Sequence, residues 1–131
     1  MNDNTFSVPR QIGILGGTFQ PIHLGHMDMA LSALSVLNLD EVLLMPDRIP
    51  PHKDLPEGAT DAQRLEMIRR SVAEIPNVEA ELFSGLLADY AREKKASILV
   101  KGVRNATDFD LEYQMAAINR GICSELETVF L

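Results

Sequence analysis

Gln11-Ile12-Gly13-Ile14-Leu15-Gly16-Gly17-Thr18-Phe19-Gln20-Pro21-Ile22-His23-Leu24-Gly25-His26 is the stretch that decides the fold. Its opening is a short apolar run closed by Gly16-Gly17, which reads as a buried strand. Beyond His26, the residues Met27, Ala30, Leu31, Leu34 and Leu37 recur at helical spacing. A strand that breaks into a glycine-bearing loop and runs straight into a helix has the parts of a phosphate site. The glycines let backbone approach a ligand closely. A helix beginning near Gly25 aims unpaired N–H groups and the positive end of its dipole at any anion. His23 and His26, three apart at the mouth of that helix, add donors that can become cationic as charge builds. Either histidine alone is more often structural; inside this run the balance turns to function.

Outward from this stretch the same alternation continues. Glu41–Met45 is a second strand, stopped by Pro46. Four prolines (Pro46, Pro50, Pro51, Pro56) make Pro46–Gly58 a long loop, neither helix nor central strand. Loops of that length in compact domains are often functional. Thr60 and Gln63 fit a capping box, and the helix they open carries Leu65, Ile68, Val72 and Ile75 on one face. Asn77–Leu82 is a third strand, and Leu86, Leu87, Tyr90 and Ala91 mark another helix. Ser97–Lys101 is a fourth strand, apolar enough to be buried on both faces. Thr107–Asp110 starts a further helix with Phe109, Tyr113 and Ala117 on one side, and Glu127–Leu131 is a fifth strand. Strand and helix alternating in this way predict an α/β, Rossmann-like fold, a parallel sheet of about five strands covered by helices. Ligands of such sheets sit beyond the carboxyl ends of the strands. The loops after the first, second and fourth strands are therefore the places to look.

The bulk properties agree with one enzyme-sized domain. The chain has 131 residues, 46% of them apolar and 24% charged, with no internal repeat. Its single cysteine, Cys123, allows no internal disulfide and suits a reducing compartment as a buried thiol. Met1–Arg10 lacks the apolar run of a secretory signal, and no stretch approaches the roughly 20 apolar residues of a membrane span, so a cytoplasmic protein is expected. A net charge of −7 argues against nucleic acid as partner. The cations cluster at Arg48–Lys53, Arg64–Arg70, Arg92–Lys95 and Lys101–Arg104. Arg69, Arg70, Arg92, Lys94 and Lys95 read as solvated helix faces, Lys101 and Arg104 less so. Three scattered histidines and one cysteine lack the spacing of a metal site. Asp108 and Asp110 fit the acid-favouring first turn of a helix.

His23-Leu24-Gly25-His26 matches the H-x-G-H signature of the nucleotidyltransferase superfamily, which joins a nucleotide phosphate to a second phosphate or acid and releases pyrophosphate. Gly16–His26 together with Ile49-Pro50-Pro51-His52-Lys53 resembles nicotinate mononucleotide adenylyltransferase. The later runs Phe83–Arg92, Val100–Arg104, Asp108–Gln114, Ala117–Arg120 and Glu127–Leu131 resemble pantetheine-phosphate adenylyltransferase over about fifty residues, and they weigh more, because they include positions that touch the acceptor.

That resemblance implies transfer of AMP from ATP to 4′-phosphopantetheine, by in-line attack of the acceptor's phosphate oxygen on the α-phosphorus. It implies His26 as transition-state stabiliser, with His23, Arg104 and Lys53 as further catalytic groups. ATP would be bound by Gly17, Thr18, Phe19, His23, Gly25, His26, Gly102, Val103, Arg104 and Glu112. The acceptor would be bound by Thr18, Lys53, Leu87 and Lys101. No metal ligand is implied; magnesium would arrive with ATP. Lys101 stands where the family usually has an arginine, which keeps the charge and loses the bidentate fork. Gln20 stands where an aspartate is usual. The family continues past the position of Leu131 into a Ser/Thr-rich stretch and a last helix, so a single domain over 1–131 lacking a C-terminal segment is implied, with a hexamer as the usual assembly. Two other readings stand beside it: a non-catalytic nucleotide-binding module, and an aminoacyl-tRNA synthetase relative, which small size, negative charge and the lack of a K-M-S-K-S-type loop disfavour.

Overall fold

The computed structural model describes residues 10–17, 19, 22–46, 60–83, 85–103 and 105–131. Along the chain these form β1 (Ile12–Gly17), α1 (Leu24–Val36), β2 (Glu41–Pro46), α2 (Asp61–Val72), β3 (Val78–Ala80), α3 (Leu87–Lys94), β4 (Ile98–Lys101), α4 (Ala106–Ile122) and β5 (Glu127–Phe130). The five strands make one parallel sheet in the order β3-β2-β1-β4-β5. The expected α/β architecture is therefore the one observed.

Period-two alternation within the strands divides the core between the two faces of the sheet. Leu15, Val42, Leu44, Val78, Ala80 and Val100 meet Ala30 and Ala33 of α1 and Ile68 and Val72 of α2. On the other face, Ile14, Leu43 and Leu99 meet Ala88, Tyr90 and Ala91 of α3 together with Cys123 and Leu126. Burying one such Leu, Ile or Val contributes about 1.5–3 kcal/mol relative to leaving it exposed. Strands β2 and β4 lack the polar–apolar alternation of a half-exposed strand because both of their faces are covered.

The helices begin where local chemistry satisfies their free N–H groups. At α2, the Gln63 N–H donates to Thr60 Oγ1 (3.1 Å) and the Thr60 N–H donates to Gln63 Oε1 (2.9 Å), the capping box expected from sequence. At α4 the cap is Asn105, whose Oδ1 accepts from the Asp108 N–H at 2.9 Å. This replaces the expected start at Thr107–Asp110.

Several expectations are corrected. Strand β2 runs through Pro46, which pairs with Gly17 at its end, where no further ladder N–H is needed. Strand β3 stops at Ala80 instead of Leu82; the Arg69 guanidinium donates to the Ala80 carbonyl there (3.2 Å and 3.3 Å). On α1, Leu31 is 45% exposed and Ala33 takes the buried place, because a small residue lets the helix lie close to the sheet. Within the Arg64–Arg70 cluster of cations, the Arg64 side chain is fully buried and paired with Asp61. The largest correction concerns α4. Its apolar residues Leu111, Tyr113, Met115 and Ile118 are exposed, between 49% and 62%, while Asn119 is its buried residue. The side expected from Phe109, Tyr113 and Ala117 does not face inward: all three are exposed. Glu112, Ala116 and Asn119 are covered instead.

Helices α1 and α2 cover one face and α3 the other, and the direction of strand addition reverses at β1, between β2 and β4. Loops after β1 and β4 consequently diverge above the sheet. That divergence is the switch-point crevice in which ligands of open α/β sheets bind.

Candidate active site

His23 is the N-cap of α1, with extended backbone (φ −141°, ψ 177°). Its Nδ1 accepts the Gly25 N–H at 3.1 Å, and its own N–H donates to His26 Nδ1, also at 3.1 Å. The two imidazoles thus do what a serine and a glutamate do in an ordinary capping box. An Nδ1 that accepts a backbone N–H carries no proton, so the proton of each ring sits on Nε2. The rings stack with centroids 3.8 Å apart and planes 22° from parallel. Two Nε2–H donors are therefore held side by side, on the edges turned away from the backbone they cap.

Burial, and after it the neighbouring His23, hold the His26 pKa below its ordinary 6.5. That shift favours the uncharged form of His26, which donates through Nε2–H. Protonation would set an Nδ1–H against the backbone N–H that it now accepts. No acidic residue occupies the first turn of α1, so no side chain of that turn neutralises the positive end of its dipole.

Glycine at position 25 has a steric reason. A Cβ there would lie 2.9 Å from Cε1 and 3.0 Å from Nδ1 of His23, inside the ring that caps the helix. Phe19 supports the other side. Its ring is 1% exposed and lies 4.6 Å from that of His26. Its φ of 50° is left-handed, a strain of about 1–3 kcal/mol for a residue other than glycine. The expectation that Phe19 contacts ligands is narrowed to its backbone, because its side chain belongs to the core.

Across the crevice, Lys101 closes β4 and sends its ammonium over the end of β1. Its Nζ lies 3.9 Å from where a Cβ on Gly16 would be. It pairs with Glu112 Oε2 at 3.4 Å, both side chains being mostly buried. Beyond it the Val103 N–H donates to the Leu131 carbonyl (3.4 Å), and the Leu131 N–H to that of Lys101 (2.9 Å). The Gly102–Val103 turn is thereby tied to the end of β5.

Residues 14–131 match the cytidylyltransferase-like family. The chain is 40% identical over 121 residues to the phosphopantetheine adenylyltransferase of Alkaliphilus metalliredigens, covering 92% of this chain and 74% of that protein. It is 43% identical over 120 residues to that of Herpetosiphon aurantiacus, covering 92% and 70%. It belongs to the phosphopantetheine adenylyltransferases of the cytidylyltransferase-like family. With the Nostoc phosphopantetheine adenylyltransferase it shares 40% identity over 122 residues, spanning 60% of that longer protein. The lipopolysaccharide core biosynthesis protein of Thermoplasma volcanium superposes with a TM-score of 0.70 over 94% of this chain and 97% of its own, at 17% identity, a likeness of fold alone.

On this cytidylyltransferase-like frame, the sequence-predicted site residues fall into three groups. Gly17, Phe19, His23, Gly25 and His26 gather at the β1–α1 junction, and Lys101, Gly102, Val103 and Glu112 at the β4–α4 junction across the same crevice. Leu87 stands at the start of α3, partly buried against the core on that face of the sheet. Thr18, Gln20, Lys53 and Arg104 lie outside the described residues. Sequence reasoning missed the Lys101–Glu112 pair and the reciprocal histidine caps. It missed Asn105 too, although an Asn followed three residues later by Asp108 is a readable start signal.

Proposed function

We propose that this domain is a cytoplasmic adenylyltransferase that moves AMP from ATP to 4′-phosphopantetheine and releases pyrophosphate, a step of coenzyme A synthesis. One arrangement supports the reading above all: two Nε2–H donors stacked at the N-terminus of α1, facing a crevice that also holds the Lys101 ammonium. Such donors suit the oxygens of a polyphosphate, whose negative charge grows on the leaving group.

The acceptor's phosphate oxygen attacks the α-phosphorus of ATP in line, and a new P–O bond forms as the bond to the bridging oxygen breaks. The electron pair departs on pyrophosphate. No side-chain nucleophile takes part. His23 and His26 donate to phosphate oxygens through Nε2, the free N–H groups of α1 add fixed dipoles, and Lys101 holds the acceptor phosphate. Arg104 and Lys53 supply further positive charge, Thr18 and the Phe19 backbone contact both ligands, and Leu87 lies along the pantetheine arm. Gly17, Gly25, Gly102, Val103 and Glu112 line the nucleotide. Catalysis of this kind rests on positioning and on dipoles set before the reaction. Magnesium enters as counter-ion of the triphosphate; among the described residues no three His, Cys, Asp or Glu side chains gather to hold it. Also among them, no helix is long and apolar enough to cross a membrane.

Pyrophosphate release from Mg-ATP tests the reaction, with 4′-phosphopantetheine and nicotinate mononucleotide run in parallel. Release with phosphopantetheine alone is expected. Release with nicotinate mononucleotide alone would reassign the acceptor, and silence with both would leave this chain a nucleotide-binding module.

The homo-oligomer, a hexamer by resemblance, belongs to the same proposal. Its support is the exposed apolar stripe Leu111, Met115 and Ile118 on α4, which a second copy would cover. Sedimentation velocity of the chain and of Ile118→Asp checks it: the parent should sediment as an oligomer and the variant as a smaller species. A parent that stays monomeric assigns the stripe to another occupant.

A further inference from the structure

The Lys101–Glu112 pair poses a problem for any anion entering the crevice. The ammonium over Gly16 is already shared with a carboxylate at 3.4 Å, and both side chains are largely covered, 22% and 28% exposed. Glu112 Oε2 is buried and has no hydrogen-bond partner, so it is held by charge alone. A phosphate reaching Lys101 must either displace that carboxylate or tolerate it close by, where partial burial weakens the screening that water would give. A carboxylate so displaced, buried and short of donors, needs hydroxyl or N–H groups to replace the lost cation.

From this we infer that Glu112 is a positioning residue that holds Lys101 in reserve. In the empty site it competes with the acceptor phosphate for the ammonium. When the nucleotide supplies hydroxyl donors to Glu112, the carboxylate turns to them and Lys101 is released to the acceptor. The two ligands then bind more tightly together than apart, and by linkage each strengthens the other by the same factor. The inference rests on the adenylyltransferase reading for the identity of the two ligands, but the competition at Lys101 does not.

Inorganic phosphate titrated calorimetrically into the parent chain, Glu112→Gln and Lys101→Gln/Glu112→Gln tests the competition. Glu112→Gln should bind phosphate about tenfold more tightly than the parent, since removing one nearby negative charge at a partly buried site is worth about that much. The gain should vanish in the double variant. Binding no tighter than in the parent, or a gain that persists without Lys101, overturns the inference. Glu112→Asp, which withdraws the carboxylate by one methylene, should show a smaller gain and serves if the glutamine variant does not fold. The coupling is read by repeating the 4′-phosphopantetheine titration with the α,β-methylene analogue of ATP present. The parent should gain several-fold in acceptor affinity and Glu112→Gln should gain little; equal gains overturn the coupling. A parent without adenylyltransfer activity would sink the reading of function and leave the phosphate titrations to decide the competition on their own.

Discussion

The Met29 thioether lies directly over Gly102: a Cβ on that glycine would sit 2.6 Å from Met29 Cε and 3.4 Å from Sδ. Met29 is one turn beyond His26 on α1, and Gly102 follows the last residue of β4. The contact thus joins the histidine-bearing helix to the turn across the crevice.

Gly102→Ala is expected to push Met29 aside and shift the first turns of α1. Turnover should fall, since misplacing a reacting group by about 1 Å can cost on the order of 10²-fold. Met29→Ala, which removes the obstructing atoms, should restore part of the loss in the double variant. A double-variant cycle on kcat measures this, with a coupling of about 0.5–3 kcal/mol expected for residues in contact. Additive effects would show that Gly102 is required for some reason other than Met29.

His26→Asn separates capping from donation. The Asn Oδ1 can take the place of Nδ1 and accept the His23 N–H, while nothing replaces Nε2–H. Thermal stability should stay close to that of the parent, and kcat should fall by about 10²–10³-fold, the usual cost of one lost transition-state donor. His26→Ala should lose both the donor and about 0.5–2 kcal/mol of cap stability. If both variants melt together well below the parent, the His26 side chain acts on folding more than on chemistry.

Gly25→Ala should divide stability from activity. Alanine is the better helix former by about 1 kcal/mol, but its Cβ collides with the His23 ring. Turnover is expected to drop at least tenfold, as a misplaced catalytic group predicts, while the displaced His23 cap, worth about 0.5–2 kcal/mol, offsets the propensity gain and leaves the melting temperature near that of the parent. A fully active variant would mean that the His23 ring can leave its capping position without consequence.

The lowered His26 pKa fixes a direction of stability with pH. Burial first and His23 second make the folded chain bind a proton less readily than the unfolded chain, whose ordinary value is 6.5. As pH falls through 6.5 the unfolded state takes its proton first, so stability declines from there until the lower folded value is passed. Above 6.5 this contribution is flat. Denaturant midpoints at pH 7.5, 6.5 and 5.5 should show the decline, and His26→Asn should show less of it. Parallel profiles for the two proteins would place the pH dependence on other groups.

The sequence alone determined the order of strands and helices, the parallel sheet, and the loop that carries His23, Gly25 and His26. Those properties are local: an apolar run flanked by glycine or proline, a 3.6-residue period and a capping pair such as Thr60 and Gln63 are written in neighbouring residues. It could not say which face of α4 meets the sheet, because that helix carries two stripes. The apolar one, Leu111, Met115 and Ile118, is the natural candidate for burial, yet Glu112, Ala116 and Asn119 are the covered residues. Only the packing of α4 over the end of β4 brought Glu112 to Lys101, eleven positions away on another element. The protonation pattern of the histidines was hidden as well. H-x-G-H does not say which ring nitrogen donates; the turn of backbone at His23 presents N–H groups to both Nδ1 atoms and leaves Nε2 as the donor. Periodicity records how residues are spaced along one element; which atoms face one another across elements is a property of three-dimensional packing.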